Sequence, residues 1–253
     1  MKTNVVIPVY NVDDCADLQN PLKGFFINRT TYLVQPEDLK EPHRSKHFSI
    51  TLVLSGETTQ YIDFEKYTVK GPAVVMLYPD QVHQHTGDSI CEVVNIIFSQ
   101  EFLVNETGLG SPICWGCVCG TPVIELTDTQ LKDLMAFARL MLKEMESSQP
   151  LRELIIRNML HAISRLPQRD IAAMQTDTLP NRIVRQFDEL SDVHYKDKTQ
   201  VAHYADMLYV TPGHLNDTIK AVLGKTAKQI IDEKRIMEAK RLLFYGEHTI
   251  KEI

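Results

Sequence analysis

Residues 201–223, with the sequence VAHYADMLYVTPGHLNDTIKAVL, decide the fold of the C-terminal part of this chain. The apolar spacing predicts two short helices, 201–208 and 212–222, joined by a tight turn. Thr211 and Pro212 mark the start of the second helix, because a threonine hydroxyl can cap a helix and proline lacks only an N–H that the first turn does not use. Such a pair is typical of a helix-turn-helix, whose second helix fits the major groove of DNA. The positions of this helix predicted to face inward are Leu215, Ile219 and Val222.

The sequence on either side of this pair continues the helical pattern. Gly224 is predicted to end the second helix, and Thr226 with Gln229 forms a capping box that opens a longer helix to about Tyr245. Upstream, a further helix is predicted over residues 180–195. The residues predicted to face inward on the longer helix are Ile230, Ile231, Ile236, Ala239, Leu242 and Leu243.

The N-terminal part has a different pattern, in which short runs rich in Val, Ile, Thr and aromatic residues are separated by turn residues. This pattern is typical of a β-sandwich or barrel. The predicted strands are 24–34, 49–54, 58–64, 73–78 and 92–98, and one of the predicted turns between them is Ser55-Gly56.

The period changes after this all-β region. Thr127 with Gln130 forms a capping box, and apolar residues then recur at 3 and 4 spacing as far as Met145. A second amphipathic helix is predicted between Pro150 and Pro167. The two helices would follow the strands as a hairpin.

Composition sets the broad class. A chain of 253 residues is long enough for two domains. The net charge is -6, but residues 180–253 carry 12 lysines and arginines against 11 aspartates and glutamates, so the acidity lies in the N-terminal part. A charge of +1 over residues 180–253 is a weak electrostatic footprint for DNA binding, so charge alone does not suggest DNA.

No export signal and no run of about 18 apolar residues is present, so we expect a cytoplasmic protein without a membrane partner. The number of cysteines is odd, at five, and without an export signal they are expected to be reduced thiols.

The C-terminal part, over residues 180–253, resembles the AraC-type (AraC/XylS) transcription regulators. The matching residues are Ala205, Val210-Thr211-Pro212, Leu215, Ile219-Lys220, Gly224-Lys225-Thr226, Ile230, Arg235 and Glu238-Ala239-Lys240-Arg241-Leu242-Leu243. The N-terminal part resembles the cupin-type sensor domains of the same family. The strings that carry this resemblance are Pro42-His43-Arg44, Val53-Leu54-Ser55-Gly56, Tyr61-Ile62-Asp63 and Pro79-Asp80-Gln81-Val82-His83.

The resemblance implies an α+β fold. It assigns residues 1–126 to a cupin-like ligand-sensing β-barrel, 127–167 to a helical hairpin that can mediate dimerisation, 168–179 to a linker, and 180–253 to an all-α DNA-binding domain. The expected function is a sequence-specific transcription regulator and not an enzyme, and no cofactor or metal is expected. The expected partners are promoter DNA, a small-molecule effector, a second copy of the chain in a homodimer, and RNA polymerase.

The resemblance also implies site residues. Bases would be read by Gly213, Asn216 and Asp217, since an Asn amide can bind adenine and an Asp carboxylate can accept from a cytosine amine. The complete set of DNA-binding residues is predicted to be Thr211, Gly213, His214, Asn216, Asp217 and Lys220, with Lys220 on a phosphate. The residues expected to contact the effector are His43, His83 and Trp115.

Three features depart from the family pattern. Asp217 occupies a position where many members carry Arg. Tyr209 occupies a turn position that is often Gly, and a positive φ there would cost about 1 kcal/mol. Thr249–Ile253 resembles only the opening of the family's second helix-turn-helix, so we expect this sequence to bind an operator weakly, because two linked modules bind much more tightly than one.

Other interpretations of the same residues stay open. Four histidines in the N-terminal part could bind a metal, although the His83-Gln84-His85 sequence lacks the nearby Glu of catalytic cupins. These four are His43, His47, His83 and His85. Cys114, Cys117 and Cys119 could form a metal or redox site, although burial is their default role. The second function class is therefore a cupin-fold metalloenzyme, an isomerase or a dioxygenase, with an appended helical domain.

Overall fold

Strands occupy the N-terminal half of this computed structural model and helices the C-terminal half, as the sequence predicts. The structure describes residues 8–12, 22–32, 40–86, 90–103, 121–168 and 179–245. They fall into two compact units, one ending at Arg169 and the other starting at Asp170. The fold class is therefore α+β.

The described residues form nine strands and seven α-helices. The strands are β1 (Val9–Tyr10), β2 (Phe25–Tyr32), β3 (His43–Ser45), β4 (Phe48–Ile62), β5 (Glu65–Lys70), β6 (Ala73–Leu77), β7 (Val82–Thr86), β8 (Cys91–Phe98) and β9 (Val123–Glu125). The helices are α1 (Gln100–Leu103), α2 (Asp128–Met145), α3 (Arg152–Arg165), α4 (Leu179–His194), α5 (Val201–Met207), α6 (Pro212–Leu223) and α7 (Ala227–Tyr245).

Strand β4 organises the first unit, because it belongs to two sheets. Its first half pairs with β6 and β8, and its second half pairs with β5 and β7. The register shifts between Val53 and Ser55, which is the signature of a bulge. Gly56 follows with a φ of 85°, and a Cβ on it would lie 2.0 Å from the Ile90 carbonyl oxygen, so only glycine fits.

The predicted turn at Ser55-Gly56 is therefore wrong. One continuous strand replaces the two strands predicted on either side of it. A local sequence of small residues indicates a break in regular pairing, but a bulge and a turn give the same signal, and only the pairing with β8 distinguishes them.

The first unit has two separate apolar clusters, one against the helices and one between its two sheets. One face packs against α2 and α3, and the predicted capping box is confirmed, since the Thr127 N–H donates to Gln130 Oε1 at 2.8 Å and the Gln130 N–H donates back to Thr127 Oγ1. Representative buried residues of this core are Ile50, Leu52, Val94, Ile96, Leu134, Ala138, Met141, Ile156 and Leu160. The opposite, inner faces of both sheets meet in a second cluster, which contains Val53, Ile62, Val69, Ala73, Val75, Leu77, Cys91 and Val93.

The second unit is built from α4, α5, α6 and α7 around a core of its own. Phe187 of α4 and Tyr204 of α5 meet edge to face at 5.4 Å between ring centroids. The remaining core residues are Ile183, Val184, Ala205, Leu215, Ile219, Ala227, Ile230 and Ile231. The core of the described residues includes none of α7 beyond Ile231.

Three of the apolar residues predicted to face inward are instead exposed. They are Val222, Ile236 and Leu243. Apolar spacing predicts which side of a helix faces its neighbours, but it does not predict how far along the helix those neighbours extend. Because this core stops at Ile231, the apolar residues further along α7 at Ile236 and Leu243 lie outside it.

Candidate functional sites

The start and the end of α6 are fixed by the residues that the sequence indicated. The Thr211 hydroxyl accepts a hydrogen bond from the His214 N–H at 3.2 Å, and Pro212 occupies the first turn. Gly224 ends the helix with a φ of 72°, in the left-handed region that glycine adopts readily. Leu215 and Ile219 are fully buried and hold the helix against the core. The predicted helix-turn-helix is therefore formed by α5 and α6.

The opposite side of α6 is exposed to solvent. Gly213, Asp217 and Lys220 are spaced by four and then three residues, so they lie on one face of the helix. All three are exposed, and nothing lies within 4 Å of the position that a Cβ on Gly213 would occupy. Thr211 and His214 are exposed at the start of the same helix. This surface, which we call the α6 face, collects five of the six predicted DNA-binding residues.

The sixth residue, Asn216, has a different position. It is half-buried, and its Oδ1 accepts a hydrogen bond from the Ala227 N–H at 3.2 Å. Ala227 is the first residue of α7, where backbone N–H groups have no partner within the helix. Asn216 therefore connects the start of α7 to α6 and lies at the edge of the α6 face.

Several charged side chains on the helices next to α6 are paired with one another. Lys234 of α7 donates to Asp188 of α4 at 2.6 Å and also pairs with Asp192. Burial disfavours its charged ammonium group, but the two carboxylates outweigh this effect and raise the pKa of Lys234. Further ion pairs that include a residue of α7 are Lys225–Glu233, Lys228–Asp232, Lys196–Glu238 and Arg241–Glu238. Within the described ranges, Lys220 has no carboxylate partner, so its charge is available on the α6 face.

The turn before α6 contains a strained residue. Tyr209 has a φ of 56°, so the cost of about 1 kcal/mol expected for a positive φ at this position applies. Its N–H donates to the Asp206 carbonyl at 3.2 Å, which ties the turn to α5. Its side chain is 96% exposed.

The two predicted effector-binding histidines lie together on the inner face of the first unit. His43 of β3 and His83 of β7 are directly opposite in the antiparallel pair, with ring centroids 4.0 Å apart. Their residues are 2% and 8% exposed. Each Nδ1 faces a backbone carbonyl, that of Glu41 at 2.9 Å for His43 and that of Gln81 at 3.4 Å for His83. A carbonyl only accepts, so Nδ1 carries the proton in both rings.

Burial determines the charge of this group. It lowers the pKa of His83 well below the ordinary value, and the neighbouring His43 and His85 rings add to the shift. Burial, together with His43, lowers the pKa of His85 to about 4. Both rings are therefore neutral at pH 7, and the inner face presents hydrogen-bonding groups without charge at these positions.

Sequence reasoning missed further polar groups beside these histidines. Gln60 pairs across the sheet with His85, and Thr58 lies two residues before Gln60 on the same inner face. In the part of the chain that the structure describes, Thr58 Oγ1 and His85 Nδ1 are buried without a hydrogen-bond partner. The available signal was the period of two along β4, where Thr58 and Gln60 alternate with the outward-facing Thr59 and Tyr61.

Some predicted residues cannot be placed against this group. Trp115 and the cysteines Cys114, Cys117 and Cys119 lie outside the described residues, as do Thr249 and Glu252. His47 is buried near the same cluster. The described ranges contain no group of three or more His, Cys, Asp or Glu side chains arranged to hold a metal ion. They also contain no helix with the length and hydropathy needed to cross a bilayer.

The described residues form an α+β chain in which the first unit, built on strands and called the sheet unit, precedes the second, which contains α5 and α6 and is called the helix-turn-helix unit. No protein-family model matches the chain, and no curated protein matches it. Solved structures do show similarity. ToxT from Vibrio cholerae is 14% identical, over 90% of this chain and 87% of its own, with a TM-score of 0.37.

Further solved structures also match, and two of them represent different proteins. The AraC-like transcriptional activator CuxR is 14% identical, over 87% of this chain and 78% of its own, with a TM-score of 0.34. A cupin protein from Bacteroides fragilis is 21% identical, over 31% of this chain and 69% of its own, with a TM-score of 0.27.

Proposed function

We propose that this chain is a transcription regulator that binds promoter DNA through the α6 face and responds to a small molecule bound by the sheet unit. The observation that carries the proposal is the position of α6. It is braced from within by Leu215 and Ile219, while Gly213, Asp217 and Lys220 face solvent. A helix presented in this way can enter a major groove, whose width admits one helix.

The residues of the α6 face have different roles in DNA binding. Lys220, whose charge is not paired with a described carboxylate, contacts a phosphate and supplies affinity. Asp217 accepts a hydrogen bond from a cytosine amine and supplies specificity. Gly213 lets the backbone approach the bases. Asn216 contributes by holding α7 to α6, because its amide oxygen already accepts from Ala227.

The test uses the full chain and duplexes selected from a random-sequence pool at low salt. Fluorescence anisotropy then measures the dissociation constant at several salt concentrations. We expect Lys220→Ala to weaken binding roughly fivefold for all sequences and to reduce the slope of log affinity against log salt by about one. The lost phosphate contact is the physical reason.

The matched control is Lys66→Ala, which removes the same charge from an exposed position on β5 of the other unit. It should leave the dissociation constant nearly unchanged. Binding that ignores both salt and Lys220→Ala would remove the DNA-binding role of α6.

The effector site is proposed on the inner face of the sheet unit. His43 and His83 are joined there by Thr58 and His85, whose buried polar atoms lack partners in the described part of the chain. Buried polar groups without partners are rare and call for a water or a ligand. Native mass spectrometry of the chain purified from cells would detect a retained small molecule, and a molecule retained equally by wild type and by a His83→Leu/His85→Leu variant would contradict this site.

The link between effector and DNA is a shift between two arrangements of the protein. A ligand can drive such a shift only if it binds the two arrangements with different affinity. Anisotropy with and without the co-purified molecule measures that difference. Homodimerisation and contact with RNA polymerase stay predictions of the same proposal.

The alternative function, a cupin-fold metalloenzyme, depends on the same histidines. The rings of His43 and His83 are in contact, with centroids 4.0 Å apart. Elemental analysis of the purified chain distinguishes the two functions. One transition metal ion per chain that is lost in His43→Ala would favour the enzyme, because a bound transition metal in the sheet unit is what that function needs.

A further inference from the structure

Tyr209 combines two properties that a purely structural residue would not be expected to combine. Its backbone has a φ of 56°, which disfavours every side chain except the smallest and most polar ones. Its side chain is 96% exposed, so burial within the protein does not compensate the backbone strain. Glycine would satisfy this turn without strain.

The place of Tyr209 in the fold indicates what its side chain meets. It lies two residues before Thr211, the cap of α6, and its N–H is fixed to Asp206 of α5. When the first turn of a recognition helix reaches base edges, the turn before that helix lies over the wall of the groove, which is made of sugar and phosphate.

We propose that Tyr209 is a DNA-contacting residue, whose phenol hydroxyl donates a hydrogen bond to a backbone phosphate beside the α6 face. This inference rests on the proposed function and adds Tyr209 to the residues proposed to contact DNA. Tyrosine suits the role, because it presents a rigid ring and a hydroxyl while losing little side-chain freedom, and phosphate contacts commonly use such side chains.

The contact predicts that stability and affinity change in opposite directions. Tyr209→Gly relieves the backbone strain, so the midpoint of thermal unfolding should rise by a few degrees. The same variant loses the phosphate contact, so binding should weaken roughly five- to tenfold. A residue with only a structural role would not give a more stable protein that binds more weakly.

Tyr209→Phe isolates the hydroxyl. It keeps the ring and the strained backbone, so we expect the same unfolding midpoint as wild type together with the weaker binding. Tyr61→Phe is the matched control, because Tyr61 is an exposed tyrosine of β4 in the other unit. Since tyrosine is uncharged, none of these variants should change the salt slope, whereas Lys220→Ala should.

The measurements are differential scanning fluorimetry and anisotropy of the full chain with the selected duplex. Wild-type affinity in Tyr209→Gly, beside weakened binding in Lys220→Ala, overturns the role of Tyr209 and leaves the proposed function intact. Wild-type affinity in Tyr209→Phe overturns the phosphate hydrogen bond. Unchanged binding in all variants, Lys220→Ala included, is the failure of the proposed function itself.

Discussion

The α6 face and the inner face of the sheet unit use polar residues in opposite ways. On α6, Gly213, Asp217 and Lys220 face solvent, and buried Leu215 holds the helix from behind. On the sheet, the polar side chains of His43 and His83 are themselves buried, with their rings 4.0 Å apart. A surface that meets a large partner must be exposed, whereas groups that recognise a small molecule can be enclosed. The two proposed sites differ in this way.

Two glycines, one in each unit, differ in how much space surrounds their backbone. Gly56 lies where the chain closes on itself, so a Cβ would meet the Ile90 carbonyl oxygen at 2.0 Å. Gly213 lies where nothing is within 4 Å of the Cβ position. The first glycine is required by packing inside a unit, and the second leaves room for something outside it.

The largest effect is expected for Gly56→Ala. The added methyl group collides with backbone, which cannot move as a side-chain end can, and the φ of 85° is strained for alanine. We expect the sheet unit to lose about 3 to 5 kcal/mol of stability. Hydrogen exchange with mass spectrometry reports on each unit separately. Unchanged protection of β4 and β8 in this variant would show that the bulge is not fixed by Gly56.

The second largest effect is expected for low pH, which should destabilise the sheet unit more than the helix-turn-helix unit. The pKa of His85 is lowered to about 4 and that of His83 well below its ordinary value, so below pH 6.5 the unfolded chain binds protons that the folded sheet unit does not. Stability is therefore fully present above pH 6.5 and is lost as pH falls towards 4. The loss is up to about 1.4 kcal/mol per pH unit for each histidine.

Urea unfolding at pH 7.5, 6 and 5, followed by hydrogen exchange, measures this effect. The helix-turn-helix unit should not lose stability in acid through Lys234 or Asp192. A raised lysine pKa removes stability only at alkaline pH, and burial raises the pKa of Asp192 to about 6, so that its stability contribution falls as pH rises through 6 and not as pH falls. The double variant His83→Gln/His85→Gln should flatten the pH dependence of the sheet unit. An equally steep dependence in that variant would assign the acid sensitivity to other groups.

The smallest effect is expected for Gly213→Ala, which is also the matched control for Gly56→Ala. Alanine fills open space and has a higher helix propensity, so α6 should gain about 0.5 kcal/mol. The midpoint of thermal unfolding measures the gain. A clear loss of stability would mean that the α6 face is covered by another part of the chain.

Local chemistry made much of the helix-turn-helix predictable. Thr211 and Pro212 start α6, and Gly224 ends it, as the sequence predicts. These helix ends are predictable because a cap depends only on residues within one turn. The exposure of Lys220 and the burial of Ile219 follow from the helical period. The role of Asn216 was not predictable, since the group that it caps, Ala227, belongs to the next helix.

The sheet unit was less predictable for the same physical reason. Val, Ile and aromatic runs identify strands, but the partners of a strand come from distant parts of the sequence. The pairing of His43 with His83 brings together β3 and β7, and the pairing of Gln60 with His85 brings together β4 and β7. The predicted histidines are brought together by this pairing, and Thr58 joins them only through it.

By itself the sequence determined the fold class, the order of sheet unit and helix-turn-helix unit, and the helix ends, because each depends on composition, periodicity or contacts between near neighbours along the chain. The tertiary structure decided that Ser55-Gly56 is a bulge, that Asn216 binds Ala227, and that the polar groups of the inner face meet. These outcomes depend on which distant segments come together, and local preference carries no information about a partner that is far away in sequence.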